Sequence, residues 1–186
     1  MLLTDDETGS YWNHMTGACV HGPMRGAQLP VWGIEHTTVR RALARWPGLT
    51  LASGPTGGLW QRMASGFLNL MGRRRLKARG FLPPGFRSTM GTADPRLPEF
   101  TQGLGVISAG SVRFYAFERI AEPVVETWLG GRVLRVCMDA DGIPRARWDD
   151  GGVPMQLMAR WYGFSLAYPG CSVFGDDAEE VRRAAG

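Results

Sequence analysis

The chain has 186 residues, a length typical of one compact domain or of two small halves that share a core. Hydrophobic residues make up 44% of it and charged residues 20%, which favours a globular protein and excludes a wholly disordered one. No stretch approaches the run of about 18 apolar residues that a membrane-spanning helix needs. The first ten residues carry acids where a signal peptide carries bases. The sequence as written therefore predicts a cytoplasmic protein, or one of the cell envelope if the true start lies upstream of Met1.

The charge of the chain is mildly basic, with 21 Lys and Arg against 17 Asp and Glu, for a net charge of +4. Lys77 is the sole lysine, a bias that a GC-rich genome explains and that phosphate binding would explain if the arginines clustered. The three cysteines, Cys19, Cys137 and Cys171, lie far apart and include no Cys-x-x-Cys pair. They predict free thiols rather than a disulfide framework.

The first thirty residues alternate short segments with turns rich in glycine. Turns are predicted at residues 5–10, where Gly9 is free to take a positive φ, then at Thr16-Gly17 and at residues 21–26. The segments between them are only four or five residues long. This spacing predicts short antiparallel strands rather than helices.

Helical spacing begins at Thr37, where Thr37 or Thr38 is the predicted N-cap of a helix that ends before Pro47-Gly48. The clearest helical pattern covers Leu59–Arg79, with one apolar stripe and a basic end. A connector rich in proline and glycine follows as far as Pro98. The basic end of the helix is a candidate surface for an anionic membrane or for nucleic acid, the alternative being a core helix with solvated bases. Its cations are Arg73, Arg74, Arg75, Lys77 and Arg79.

The second half of the chain returns to strand patterns. Leu104–Ile107 and Val112–Ala116 predict a hairpin, and Val133–Met138 predicts a strand that runs to a turn at Asp141-Gly142. The fold class predicted is α+β, with short antiparallel strands and about three helices. The predicted organisation is a first lobe at 1–54, an amphipathic helix with its connector at 55–98, and a second lobe at 99–186.

A faint internal repeat relates residues 41–51 to residues 163–173. Each copy has a helical pattern, then an aromatic-Pro-Gly triplet, then three residues of strand character. The triplets are Trp46-Pro47-Gly48 and Tyr168-Pro169-Gly170. If the repeat is real, the chain consists of two small related lobes, each with a helix that stops at Pro-Gly.

Several runs of residues carry a resemblance to a known family. In the first thirty residues they are Asp5-x-Glu7-Thr8-Gly9-Ser10-x-Trp12, Thr16-Gly17-Ala18 and Gly22-Pro23-x-x-Gly26-x-x-Leu29. Later runs are Leu97-Pro98, Gly103-Leu104-Gly105-Val106, Gly130-Gly131-Arg132, and Trp161-Tyr162-Gly163-Phe164 with Tyr168-Pro169. Together they resemble the bacterial domain of unknown function 3179. The likeness extends over most of the chain and is weak from Trp60 to Arg96.

The resemblance implies an uncharacterised bacterial domain, because the family has no settled activity. In that family a Cys-x-x-Cys segment and a β-rich stretch precede the first motif, whereas here Met1 lies only a few residues before it. The resemblance therefore also implies that this chain is the C-terminal part of a longer domain.

His14, Cys19 and His21 are the densest set of soft metal ligands in the chain. On a strand, Cys19 and His21 would point to one face, because side chains alternate with a period of two. Zinc or a copper ion takes such ligands, usually three or four, and an upstream Cys-x-x-Cys would complete the set. The alternative is a buried small thiol with two histidines bonded in turns.

Two acidic groups are candidate functional sites. Asp5, Asp6 and Glu7 suit either acid–base chemistry or a solvated turn, and the turn is favoured. Asp139-x-Asp141 resembles the start of a calcium loop, but Asp150 stands where the loop needs a glutamate, which favours a turn.

The function predicted is a scaffold or binding module with no assignable reaction. The alternative is a metal- or thiol-dependent enzyme that uses His14, Cys19 and His21.

Overall fold

The computed structural model describes residues 2–30, 34–50, 63, 91–92, 94–108, 110–120 and 125–176. The chain forms two compact units. The first unit combines Met1–His36 with Asp94–Gly186, and the second unit is Thr37–Ala93. Apart from Met63, the predicted helix at Leu59–Arg79 lies outside the described residues.

A small antiparallel sheet opens the first unit. Its three strands lie in chain order: β1 (Leu2–Thr4), β2 (Tyr11–Asn13) and β3 (Cys19–His21). The predicted turn after β1 is present, and Gly9 has a φ of 66° there. The prediction of short strands joined by glycine turns is confirmed for this part of the chain.

Two further sheets lie in the first unit. The four-stranded sheet has the order β10-β5-β4-β9, and the three-stranded sheet has the order β6-β7-β8. Within them only the pair of β10 with β5 is parallel. The strands are β4 (Gln102–Ser108), β5 (Ser111–Ala116), β6 (Val125–Leu129), β7 (Arg132–Met138), β8 (Pro144–Trp148), β9 (Met155–Arg160) and β10 (Ser172–Val173). The predicted hairpin is β4 with β5, and the predicted strand at Val133–Met138 is β7.

The four-stranded sheet is covered on both faces. Side chains alternate along each strand, so each strand contributes to a core on either face. One face meets the three-stranded sheet in a core that includes Leu104, Tyr115, Leu134, Val136 and Trp148. The opposite face meets a helix in a second core, which includes Phe114, Ala116, Trp161, Phe164 and Val173.

The glycines of β4 explain how the second core fits. A Cβ at Gly105 would overlap one edge of the Phe164 ring, and a Cβ at Gly103 would overlap the ring of Phe114. Because neither glycine has a side chain, both rings lie directly on the strand backbone. The Gly-Leu-Gly-Val run thus alternates between space for aromatic rings and apolar side chains for the other core.

The described residues contain two α-helices, α1 (Val39–Arg45) and α2 (Trp161–Ala167), and one turn of 3-10 helix (Phe117–Arg119). Thr38 caps α1, since its side chain accepts a hydrogen bond from the Arg41 amide. The fold is α+β with strands dominant, and the described part has fewer helices than the three or so predicted. No helix among the described residues is long and apolar enough to cross a membrane.

The two copies of the internal repeat end their helices in the same conformation. Trp46 follows α1 with φ −130° and ψ 81°, and Tyr168 follows α2 with φ −128° and ψ 73°. The helix ends nevertheless differ in burial, because α2 buries Trp161 and Phe164 whereas α1 buries none of its residues. A short strand was predicted at residues 49–51; residues 49 and 50 are not in a strand, and residue 51 lies outside the described residues.

Candidate functional site

The most specific motif of the sequence folds into a hydrogen-bonded turn around Asp5. The Asp5 carboxylate accepts the Trp12 Nε1–H at 2.7 Å, the Thr8 amide at 2.6 Å and the Thr8 hydroxyl at 2.8 Å. The Trp12 bond, followed by the Thr8 bonds, lowers the pKa of Asp5 below its ordinary value. Asp5 is therefore an ionised acceptor that orients the turn between β1 and β2.

Ser10 joins this turn to the loop that follows β3. It is fully buried, its hydroxyl oxygen lies 2.6 Å from Thr8 Oγ1, and it accepts the Met24 amide at 3.2 Å. The single Thr8 proton is donated to Asp5, so the Ser10 hydroxyl donates to Thr8. Gly22 packs against Ser10 so closely that a Cβ would lie 2.7 Å from the Ser10 Cα.

The order Ser10, Thr8, Asp5 resembles a proton relay, but the serine at its end is buried. A nucleophilic serine must reach its substrate, whereas the Ser10 side chain is enclosed and accepts a backbone amide. The neighbouring Asp6 and Glu7 are exposed, as expected for a solvated turn.

The strand register separates two of the three predicted metal ligands. Tyr11 pairs with His21 and Trp12 pairs with Cys19, so the register shifts between the two pairs and leaves Val20 as an extra residue in β3. Tyr11 and Trp12 are consecutive and point to opposite faces. His21 therefore shares the exposed face of Tyr11, and Cys19 shares the buried face of Trp12. The expectation that Cys19 and His21 share a face is wrong, because it assumed a strand without a bulge.

The other contacts of these residues agree with this arrangement. The His21 ring lies 5.7 Å from the Tyr11 ring, the Cys19 thiol donates to the His21 carbonyl at 3.3 Å, and His14 is exposed in the turn after β2. Within the part of the chain that the structure describes, no three His, Cys, Asp or Glu residues form a group able to hold a metal ion. A zinc or copper site at His14, Cys19 and His21 stays a prediction.

The predicted surface site lies outside the described residues. It comprises Arg73, Arg74, Arg75, Lys77 and Arg79. Binding of an anionic membrane or of nucleic acid by this segment likewise stays a prediction.

The structure contains a polar cluster that sequence reasoning missed. Arg145 on β8 donates to Asp139 Oδ2 at 3.0 Å and to the His36 carbonyl at 3.0 Å, and it lies 3.9 Å from Glu35. Asp139 also accepts the Ile143 amide, and the predicted turn at Asp141-Gly142 is present. No local pattern links Glu35 and His36 to Arg145, because more than one hundred positions separate them in the sequence.

His36 is a hydrogen-bond acceptor in this polar cluster. Its Nε2 accepts the Met158 amide of β9 at 3.1 Å. Partial burial lowers the pKa of His36, and the positive charge of Arg145 lowers it further. The bond to Met158 requires the neutral imidazole, which the lowered pKa favours.

The remaining cysteines differ in their surroundings. Cys171 is buried in the second core, and burial raises the pKa of its thiol, which disfavours the reactive thiolate. Cys137 is half-buried on β7 opposite Arg145.

Comparison of the chain with protein-family models, with curated proteins and with solved structures finds no match. Membership of the domain of unknown function 3179 family therefore stays a prediction.

Proposed function

We propose that this chain is a scaffold or binding module rather than an enzyme. The observation that carries the proposal is the use of the motif side chains within the fold. Asp5, Thr8, Ser10 and Trp12 bond one another or a neighbouring backbone amide. Residue types that could act in acid–base or nucleophilic chemistry here stabilise two turns. The resemblance to the domain of unknown function 3179, with its lack of a settled activity, belongs to this proposal.

The side chains around these turns support a binding role. Several large apolar residues near the first sheet keep 40–51% of their surface exposed. They are Leu2, Leu3, Tyr11, Val20, Met24 and Leu29. A small sheet that exposes apolar side chains, with turns held by hydrogen bonds, suits recognition of a partner.

The competing proposal is a metal- or thiol-dependent enzyme centred on His14, Cys19 and His21. Purified protein dialysed against zinc or copper and then analysed for bound metal distinguishes the two. For a scaffold we expect only trace metal, unchanged in Cys19→Ser and in the control Cys137→Ser. One equivalent of metal that is lost in Cys19→Ser and kept in Cys137→Ser would overturn the scaffold proposal.

A thiol-based enzyme without metal is tested by alkylation of the folded protein. Because Cys19 is buried and its thiol bonds a carbonyl, we expect iodoacetamide to modify the half-buried Cys137 before Cys19. Mass mapping after brief exposure identifies the modified cysteine. Faster modification of Cys19 would favour the thiol enzyme.

A further inference from the structure

The outer edge of β9, which pairs with no strand in the part of the chain described, contacts other segments through side chains. β9 lies at the end of its sheet, where it pairs with β4. The side chain of Gln156 on β9 reaches β8, where it accepts from the Ala146 N–H at 2.8 Å and donates to the Ala146 carbonyl at 3.1 Å. His36 covers the next outward amide, that of Met158, at 3.1 Å.

The contact of His36 depends on its protonation state. A doubly protonated imidazole carries hydrogen on both nitrogens and cannot accept the Met158 amide. The neutral ring that accepts at Nε2 must carry its proton on Nδ1. Acid therefore converts the acceptor at the edge of β9 into a donor that faces another donor.

The charged groups around His36 come from two segments. Arg145 of β8 donates to the His36 carbonyl, and its guanidinium also contacts Asp139 at 3.0 Å and Glu35 at 3.9 Å. The two carboxylates are thus already engaged with Arg145. A second cation at His36 would lie beside that guanidinium, which makes the charged imidazole unfavourable in the closed arrangement.

We propose that His36 is an acid-sensitive latch, which holds residues 34–36 on the edge of β9 while the imidazole is neutral. Protonation removes the acceptor and exposes the Met158 amide, while the contacts of Arg145 with the His36 carbonyl and with Glu35 do not depend on the imidazole. His36 is the last residue of the first unit before the chain enters the second unit. The latch therefore fixes the point where the chain leaves the first unit. This inference is independent of the scaffold proposal.

The test follows the imidazole nitrogens and the Met158 amide by NMR from about pH 8 to about pH 5, the range in which histidines titrate. At the upper end we expect an unprotonated Nε2 and a protonated Nδ1. As His36 titrates, the protection of the Met158 amide, corrected for the intrinsic pH dependence of exchange, should fall about tenfold, as expected for one lost hydrogen bond.

Two variants provide the controls. His36→Gln keeps a neutral acceptor and should show no pH step in Met158 protection, whereas the double variant His14→Gln/His21→Gln should keep the step. A step that persists in His36→Gln would overturn the proposal. If His36→Gln does not fold, the wild-type titration decides, because protonation of His36 without loss of Met158 protection also overturns it.

Discussion

Gly22 illustrates how a single residue supports the motif turns. Its φ is 97°, and a Cβ there would lie 2.9 Å from the Ser10 hydroxyl oxygen and nearer still to the Ser10 Cα. The loop after β3 can therefore approach buried Ser10 only where a side chain is absent. Gly26 has a similar φ of 91°, but nothing lies within 4 Å of its added Cβ.

This pair gives a matched prediction for the free energy of unfolding. Gly26→Ala should cost about 1–2 kcal/mol, the usual cost of placing a side chain in the left-handed region. Gly22→Ala adds overlap with Ser10 and should cost about 1–3 kcal/mol more. Urea denaturation of the two variants measures both values. Equal costs would show that the Ser10 contact does not constrain the loop.

Asp5 predicts how the same turn responds to acid. Its pKa is lowered in the folded protein, so the unfolded chain binds the proton more readily, and stability falls as the pH drops. The contribution of Asp5 is complete above its ordinary pKa of 3.8 and is lost as the pH falls through the lower folded value. Asp5→Asn should flatten this part of the stability curve, measured by urea denaturation between about pH 5 and about pH 2.

The exposed neighbour Asp6 supplies the control for this prediction. Asp6→Asn changes the same charge one position away and should leave the acid dependence near that of the wild type. If Asp5→Asn and Asp6→Asn flattened the curve equally, overall charge rather than the Trp12 and Thr8 hydrogen bonds would be the cause.

At the scale of elements, side chains bridge the four-stranded sheet and the three-stranded sheet at two places, which we call seams. Gln156 of β9 bridges to Ala146 of β8 on one side. On the other side, Arg113 of β5 donates to the Thr127 hydroxyl at 2.6 Å and to the Trp128 carbonyl of β6 at 3.1 Å. Within the described residues, hydrogen bonds made by side chains thus connect the two sheets on both sides, where no strand of one sheet pairs with a strand of the other.

Replacement of Gln156 by Glu tests one seam with little change of shape. The carboxylate still accepts the Ala146 amide but cannot donate to the Ala146 carbonyl, so the free energy of unfolding should fall by about 1–3 kcal/mol at neutral pH. Gln102→Glu, on the exposed start of β4, makes the same chemical change away from the seam and should cost less. Similar losses in the two variants would contradict a bridging role for Gln156.

Elements with a local signal could be predicted from the sequence, whereas contacts between distant elements could not. A helix cap at Thr37 or Thr38, which the structure places at Thr38, and the β4–β5 hairpin follow from spacing and turn residues within a few positions. The bulge at Val20 has no comparable signal, because it is set by how β3 pairs with β2. The prediction that Cys19 and His21 share a face was wrong because it did not include this bulge. The contact of His36 with Arg145 could not be predicted, because the two residues are far apart in the sequence and meet only in the folded chain.

At the scale of the whole molecule, the first unit draws together segments from both parts of the chain. The Tyr168 hydroxyl, after the end of α2, donates to the Met15 carbonyl at 3.1 Å, and the Met15 side chain packs on the second core. Arg96 adds a second long-range contact, because it donates to the Cys171 carbonyl at 2.8 Å and lies over the Trp161 ring. These contacts join the first sheet and the end of the connector to the same core.

We therefore expect the first unit to unfold as one cooperative body. The Cys19 amide, in the first sheet, donates to the Ala27 carbonyl. The Phe174 amide donates to the Phe114 carbonyl of the four-stranded sheet. In wild-type protein, native-state hydrogen exchange should give these two amides the same free energy of opening. A lower value at Cys19 would show that the first sheet opens by itself.

Tyr168→Phe tests what joins the two parts, since it removes the bond to Met15 and keeps the ring. The free energy of opening at Cys19 should fall by about 1 kcal/mol, the usual net value of one hydrogen bond. If Tyr168 joins the first sheet to the second core, the decrease at Cys19 should equal or exceed that at Phe174. Tyr162→Phe makes the same change on α2, where the ring packs on Phe100, and should affect Cys19 less. A decrease confined to Phe174 in Tyr168→Phe would mean that Tyr168 stabilises only its own core, and that other contacts hold the first sheet in place.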